Sequence, residues 1–215
     1  SHGDGVYRSD NGGATWKHLG LENTRQISNV IVHPSNPDLV YVAALGHAWG
    51  PNKERGIYRS KNGGKTWDKV LYLNEDVGAG DLEMDPSNAK VLYAGMWQAR
   101  RFAWGLRGAG PGTGLYKSTD GGENWKNLTR NLGLPKGENR GRIGITVSGA
   151  NSNRLWTIIE AENDQTGVFR SDNAGKTWEL VSQRAELLQR PWYYHRVHAH
   201  PNDPDQVYVQ NTRLW

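Results

Sequence analysis

The chain of 215 residues carries 26 Lys+Arg against 22 Asp+Glu, a formal net charge of +4, with 27 Gly, 10 Trp, 9 Tyr and no Cys. The missing cysteines exclude disulfides, thiolate metal sites and cysteine nucleophiles, and no apolar run reaches the ~18–20 residues that span a bilayer. The positive excess is spread along the chain without a basic block, which argues against a nucleic-acid partner.

In chain order, β-branched and aromatic alternation is broken by Gly, Pro, Asn and Asp clusters at ~8–12-residue spacing, the pattern of short antiparallel strands. A first pair is predicted over Val6 to Ser9 and Trp16 to Leu19. A full set of four follows: strand A at Ile27 to His33, B at Leu39 to Leu45, C at Gly56 to Ser60 and D at Thr66 to Leu73. Equivalent sets fall in residues 80–142 and 143–190, and a last pair lies at Val197 to His200 and Val207 to Gln210. The one helical signal is a turn over Arg184 to Gln189.

These sets are true repeats. Ser9-Asp-Asn-Gly-Gly-Ala-Thr-Trp16 returns as Ser60-Lys-Asn-Gly-Gly-Lys-Thr-Trp67, Ser118-Thr-Asp-Gly-Gly-Glu-Asn-Trp125 and Ser171-Asp-Asn-Ala-Gly-Lys-Thr-Trp178, so the starts are 51, 58 and 53 residues apart. A second motif keeps step with it: His33-Pro-Ser-Asn-Pro-Asp38, Asp85-Pro-Ser-Asn-Ala-Lys90, Ser148-Gly-Ala-Asn-Ser-Asn153 and His200-Pro-Asn-Asp-Pro-Asp205, each leading into strand B. Four strands in a period near 50 are the sequence form of a propeller blade. In the octet, Asn62 or Asp120 caps its own turn, Gly64 or Gly122 permits positive φ, and the Trp is expected in the core at the start of strand D.

The octets resemble the Asp-box, or BNR repeat, of sialidases, xyloglucanases and sortilin-type propellers. The wider pattern Gly56-Ile-Tyr-Arg-Ser-Lys-Asn-Gly-Gly-Lys-Thr-Trp67 is similar to bacterial glycosyl-hydrolase-like and sortilin N-terminal-like proteins. The resemblance implies an all-β propeller of four-stranded antiparallel blades. Residues 1–26 read as a C–D half-blade, 27–79, 80–142 and 143–190 as blades, and 191–215 as an A–B half-blade, about four blade equivalents. A segment of a larger propeller is expected, with a ring closed by the two end halves, or a dimer of half-rings, as alternatives.

The A–B and C–D turns are short and stereotyped, whereas the B–C and D–A loops are long, so binding groups are expected on the face that carries the long loops. The richest is Met96 to Thr113, where Trp97 and Trp104 offer faces for sugar rings and Arg100, Arg101 and Arg107 offer forked donors. Trp49, Trp192 and Tyr193 join the same face. Strand A lines the funnel, where period-2 alternation places Asp81 with Glu83, and Arg196 with His198, on common faces. These groups read equally as a site or as a salt-bridged inner wall.

Glycoside hydrolysis needs two carboxyls, for which Asp81, Glu83, Glu160 and Glu162 are the catalytic candidates, with Glu75 and Asp76 behind them. His195, His198 and His200 cluster in sequence, but His200 occupies the turn position of His33, and no metal and no cofactor are expected. The resemblance implies a secreted or periplasmic, carbohydrate-active propeller that binds a poly- or oligosaccharide; hydrolysis stays open. The alternative is a non-catalytic sortilin-type propeller for a protein or peptide ligand. Other partners expected are the rest of a larger propeller or a second copy that completes the ring.

Overall fold

The computed structural model describes residues 2–215. β1 (Tyr7–Arg8) and β2 (Lys17–His18) form an antiparallel pair. β3 (Ile27–His33), β4 (Asn36–Ala44), β5 (Gly56–Ser60) and β6 (Asp68–Leu71) form a four-stranded antiparallel sheet in chain order. The next unit holds β7 (Val77–Met84), β8 (Leu92–Gln98), β9 (Arg100–Phe102), β10 (Gly105–Arg107), β11 (Gly114–Ser118) and β12 (Lys126–Asn127). Its sheet is β7-β8-β11-β12, and β9–β10 is a separate hairpin. β13 (Arg140–Val147), β14 (Leu155–Ala161), β15 (Gly167–Ser171) and β16 (Glu179–Ser182) make the third full sheet, and β17 (Arg196–Ala199) with β18 (Val207–Gln210) the closing pair.

β3, β7, β13 and β17 are the innermost strands and stack side by side around the axis. Polar side chains make each joint. Asn29 Nδ2 donates to Leu82 O (2.7 Å), Asp81 accepts the Ile145 N–H (3.1 Å), and Thr146 Oγ1 accepts the Ala199 N–H (3.2 Å). The opposite faces of these strands are apolar and pack on the preceding sheet. Leu82 and Met84 lie against Tyr41, Ala43 and Ile57; Ile145 and Val147 against Tyr93 and Leu115; Val197 against Trp156 and Ile158. Each such fully buried aliphatic side chain contributes about 1.5–3 kcal/mol. On β3 the equivalent Val30 and Val32 are 45% and 53% exposed. Among the described residues the β1–β2 pair faces them, across a groove of about 380 Å³ that Val6, Val40 and Trp67 also line.

The octets form one repeated clasp. In each, the serine hydroxyl donates to the Asn or Asp two residues on and accepts the N–H of the glycine four residues on, at 2.8 to 2.9 Å. The Asn or Asp then accepts the N–H of the residue four positions later. Basic side chains from the strand before the clasp reach into the next one: Arg59 donates to Gly121 O and pairs with Glu123, and Lys117 donates to Ala174 O.

Three expectations need correction. The octet tryptophans are not uniformly buried: Trp178 is 7% exposed and Trp16 62%. Trp16, Trp125 and Trp178 lean over their turns and donate to their own clasp's Gly carbonyl, whereas Trp67 donates to Leu19 O, so burial depends on how much of a neighbouring sheet covers each ring. Residues 96–113 are not one irregular loop, because β8 continues to Gln98 and the β9–β10 hairpin follows. Phe102 stacked on Trp104 (ring centroids 5.5 Å) and Arg100 over Phe102 hold that hairpin. Nor is the inner wall salt-bridged: among the described residues, Asp81, Glu83, Arg196 and His198 form no ion pair.

Candidate functional site

The same end of the innermost strands builds the floor of a cavity of about 550 Å³. Gln26 and Ser28 enter from the start of β3, Gly80 from β7, Arg142 from β13 and Arg196 from β17. Its walls are loops: Ala48 and Trp49 follow β4, Trp97 and Arg101 come from β8 and β9, and Trp192 and Tyr193 precede β17. A rigid stack of strands therefore fixes the floor, and the B–C and D–A loops shape the rim.

The walls are braced by cation–aromatic and edge contacts. Trp97 and Trp192 meet edge to face (4.9 Å), and Trp97 donates its indole N–H to Gly108 O (2.6 Å). The Arg142 guanidinium lies 5.4 Å from the Trp97 ring and donates to Trp192 O (3.1 Å). Arg101 lies over Trp192 (5.4 Å) and donates to the Tyr193 hydroxyl (2.8 Å). Arg196 donates to Ser28 O (2.8 Å), tying the last pair to the first full sheet across the floor. Burial, with the neighbouring Arg196 charge, pushes Arg142 down to about 10.

Two buried groups support the rim. Arg55, wholly buried, donates to Asp76 O, His47 O, Gly50 O and Ala99 O, so one guanidinium gathers the loops that carry Trp49 and Arg101. His195 has φ 81° and is fully enclosed, with Nδ1 3.2 Å from Arg142 O; burial pushes its imidazole down to about 4.

Of the sequence-derived ligand candidates, Trp49, Trp97, Arg101, Trp192, Tyr193 and Arg196 line this cavity, and Arg100, Trp104, Arg107 and His198 do not. Trp104 caps the β9–β10 hairpin at 87% exposure, and His198 is exposed on β17. His200 Nδ1 accepts the Asn202 and Asp203 N–H groups, and His33 Nδ1 that of Ser35, a shared turn cap. None of the four catalytic candidates lines the cavity. Asp81 accepts the Leu82 and Ile145 N–H groups while burial raises its carboxyl; Glu83 accepts from Thr146 Oγ1 (3.3 Å). Glu160 accepts the Arg142 N–H, and Glu162 accepts the Glu138 N–H and the Asn139 side-chain amide. Arg142 is the residue sequence reasoning missed. It lies two positions before Gly144, so extending the period-2 alternation of strand A by one step finds it.

Comparison with known proteins gives relatives that are much longer. The chain is 29% identical over 206 residues to a xyloglucanase of Hypocrea jecorina, a match covering 83% of this chain and 22% of that protein. It is 27% identical over 213 residues to a xyloglucanase of a Paenibacillus species, covering 95% of this chain and 18% of that one. The chain thus spans about a fifth of the length of these relatives. Among solved structures, the GH74 xyloglucanase from Xanthomonas campestris superposes with a TM-score of 0.73 at 17% identity, over 100% of this chain and 33% of that one. An ancestral GH74 enzyme gives 0.68 at 22% identity, over 100% and 28%. These two structural likenesses establish the propeller fold of the sheets described above. The model of the Sortilin-Vps10 family, described as sortilin, neurotensin receptor 3, matches residues 4–164. With three-quarters of its length under that match and an Asp-box clasp in every repeat, the chain belongs to the Sortilin-Vps10 family.

Proposed function

We propose that these blades carry the saccharide-binding cleft of a secreted or periplasmic propeller protein, whose ligand is a poly- or oligosaccharide. The observation that carries the reading is the cavity with Trp49, Trp192 and Tyr193 set beside guanidinium groups and backed by the buried Trp97. Flat aromatic faces stack on the C–H faces of sugar rings, and forked N–H donors take ring-substituent oxygens. The relatives named xyloglucanases support it. Further blades, from a longer chain or a second copy, belong to the proposal, since Val30 and Val32 offer an apolar sheet face for one to cover. A peptide-binding propeller is the competing reading. It asks for an apolar funnel, whereas Asn29, Asp81 and Arg196 make this one polar.

Binding is tested by affinity electrophoresis in gels containing xyloglucan or other soluble polysaccharides. Retardation is expected, weakened roughly tenfold in Trp49→Ala, whose ring is exposed at the rim. Migration unaffected by every polysaccharide would remove the reading. Hydrolysis is its further part, and Asp81 with Glu83, on one face of β7 though outside the lining of this cavity, is the carboxyl pair it would draw on. Loss of reducing-end release in Asp81→Asn and Glu83→Gln, with binding kept, would support that role, and undiminished release would end it.

A further inference from the structure

The cleft has an unbalanced charge. Three guanidinium groups, those of Arg101, Arg142 and Arg196, line it, and among the described residues no Asp or Glu does. Among the described residues none of the three is in an ion pair. Each spends one N–H on a neutral oxygen, those of Tyr193, Trp192 and Ser28, and a guanidinium has five to give. Asp81, outside the lining, is close enough for its charge to act on both Arg196 and Arg142. Its oxygens already take two backbone N–H groups, and its burial works against the charged form. The cleft therefore holds a surplus of donors and of positive charge in a partly desolvated setting.

A neutral sugar does not answer that surplus. Its hydroxyls must donate as well as accept, and the side chains that commonly receive them, Asp and Glu, are missing from this lining. Gln26 Oε1, without a partner, is one acceptor that remains. A ligand bearing a planar carboxylate is the complement: it accepts two parallel N–H bonds from a guanidinium fork and cancels the repulsion between Arg142 and Arg196. Resting on the saccharide reading above, we infer that the cleft takes an acidic sugar, a uronic-acid residue whose carboxylate meets the arginines while its ring stacks on Trp49 and Trp192.

The test is calorimetric titration of the protein with an oligogalacturonide and with the same oligosaccharide after its carboxyls have been reduced to primary alcohols, which leaves the ring and its stacking faces in place. Binding of the acidic form, weakened about tenfold or more by carboxyl reduction and by either Arg101→Gln or Arg196→Gln, is expected. Both arginines are partly exposed, so these variants keep the test alive where Arg142→Gln fails to fold. Lys126→Gln, exposed on β12, is the charge-matched control and leaves binding unchanged. Equal binding of both forms with no effect of the arginine variants would overturn the acidic-sugar inference and leave the saccharide reading standing. No binding of either form, nor of any neutral polysaccharide, would overturn both. Dextran sulfate competing as well as the oligogalacturonide, or Lys126→Gln weakening binding as much as Arg101→Gln, would reduce the effect to unspecific polyanion attraction. Displacement by a short peptide only when its C-terminal carboxylate is free would overturn the sugar in favour of a peptide terminus.

Discussion

Glu83 sits where a carboxylate is hard to keep. Burial first, and the negative charge of Asp81 second, push its carboxyl up to about 8 from an ordinary 4.5, against the Thr146 hydroxyl and the Val147 backbone, which favour the charged form. Because the folded state holds this proton more tightly than the unfolded chain does, its contribution to stability is complete below about pH 4.5 and is lost as pH rises toward 8. His195 has the opposite sign. Pushed down to about 4, it contributes stability that is present above its unfolded value of 6.5 and is lost as pH falls toward 4. In the window from 6.5 to 8 His195 is largely neutral in both states, and the Glu83 share is read as the difference between the parent and a Glu83 variant, because burial raises Asp81 as well. Glu83→Gln, neutral at every pH and still able to accept from Thr146, is expected to remove a fall in stability of on the order of 2 kcal/mol across that window. Urea unfolding at pH 6.5 and 8 measures it, and parallel curves for the two proteins would show that Glu83 is ionised in the fold.

At the scale of the element, the four clasps amount to a substitution experiment within one chain. The fourth octet position is Gly12, Gly63 and Gly121 at φ 67°, 67° and 72°, but Ala174 at φ 56° in the last repeat. A left-handed backbone costs an alanine roughly 1 kcal/mol that glycine does not incur. Ala174→Gly is accordingly expected to raise the melting temperature by about 2–4 °C, and Gly12→Ala, where a Cβ meets nothing within 4 Å, to lower it by as much. Unchanged melting in both would mean that clasp stability resides in the Ser and Asn or Asp hydrogen bonds alone. The clasp was legible in sequence because its chemistry is local: Ser, Asn or Asp and Gly act within five residues. Strand A was legible for the same reason, since alternation separates Leu82 and Ile145 from Asp81 and Glu83. What escaped depends on contacts between repeats. Trp16 and Trp178 share one motif and differ in burial through the sheet beside them, and Asp81 appears as half of an acid pair until Ile145 of the next sheet takes its lone pair. The cleft was half legible: aromatic loop residues announce themselves, whereas Arg142 hides in a strand and is revealed only when three other innermost strands stand next to its own.

For the whole molecule the governing fact is that the strand stack β3, β7, β13, β17 is an arc with two unlike ends. The accessible surface is 10618 Å² for 24.0 kDa, against about 9,900 Å² expected of a compact monomer of that mass. The excess is modest in area but concentrated. Val30 and Val32 stand uncovered on one flank, with the Val6 and Trp67 groove beside them, and Leu214 and Trp215 are exposed near the other. Every interior joint of the arc is made by burying the counterpart of Val30 against a neighbouring sheet, so this flank is a joint with its partner side open, and exposed apolar faces next to short strand pairs favour association. The 215-residue chain in isolation is therefore expected to sediment as a concentration-dependent mixture heavier than 24.0 kDa, and Val30→Lys combined with Val32→Lys to shift it to the monomer. Those two side chains lie on the apolar side of β3, away from the polar side that carries Asn29, so the double variant should keep the cleft and its ligand affinity. A parent chain that stays monomeric across a hundredfold range of concentration would show that the flank needs no partner, and that the arc is a stable end state of the fold.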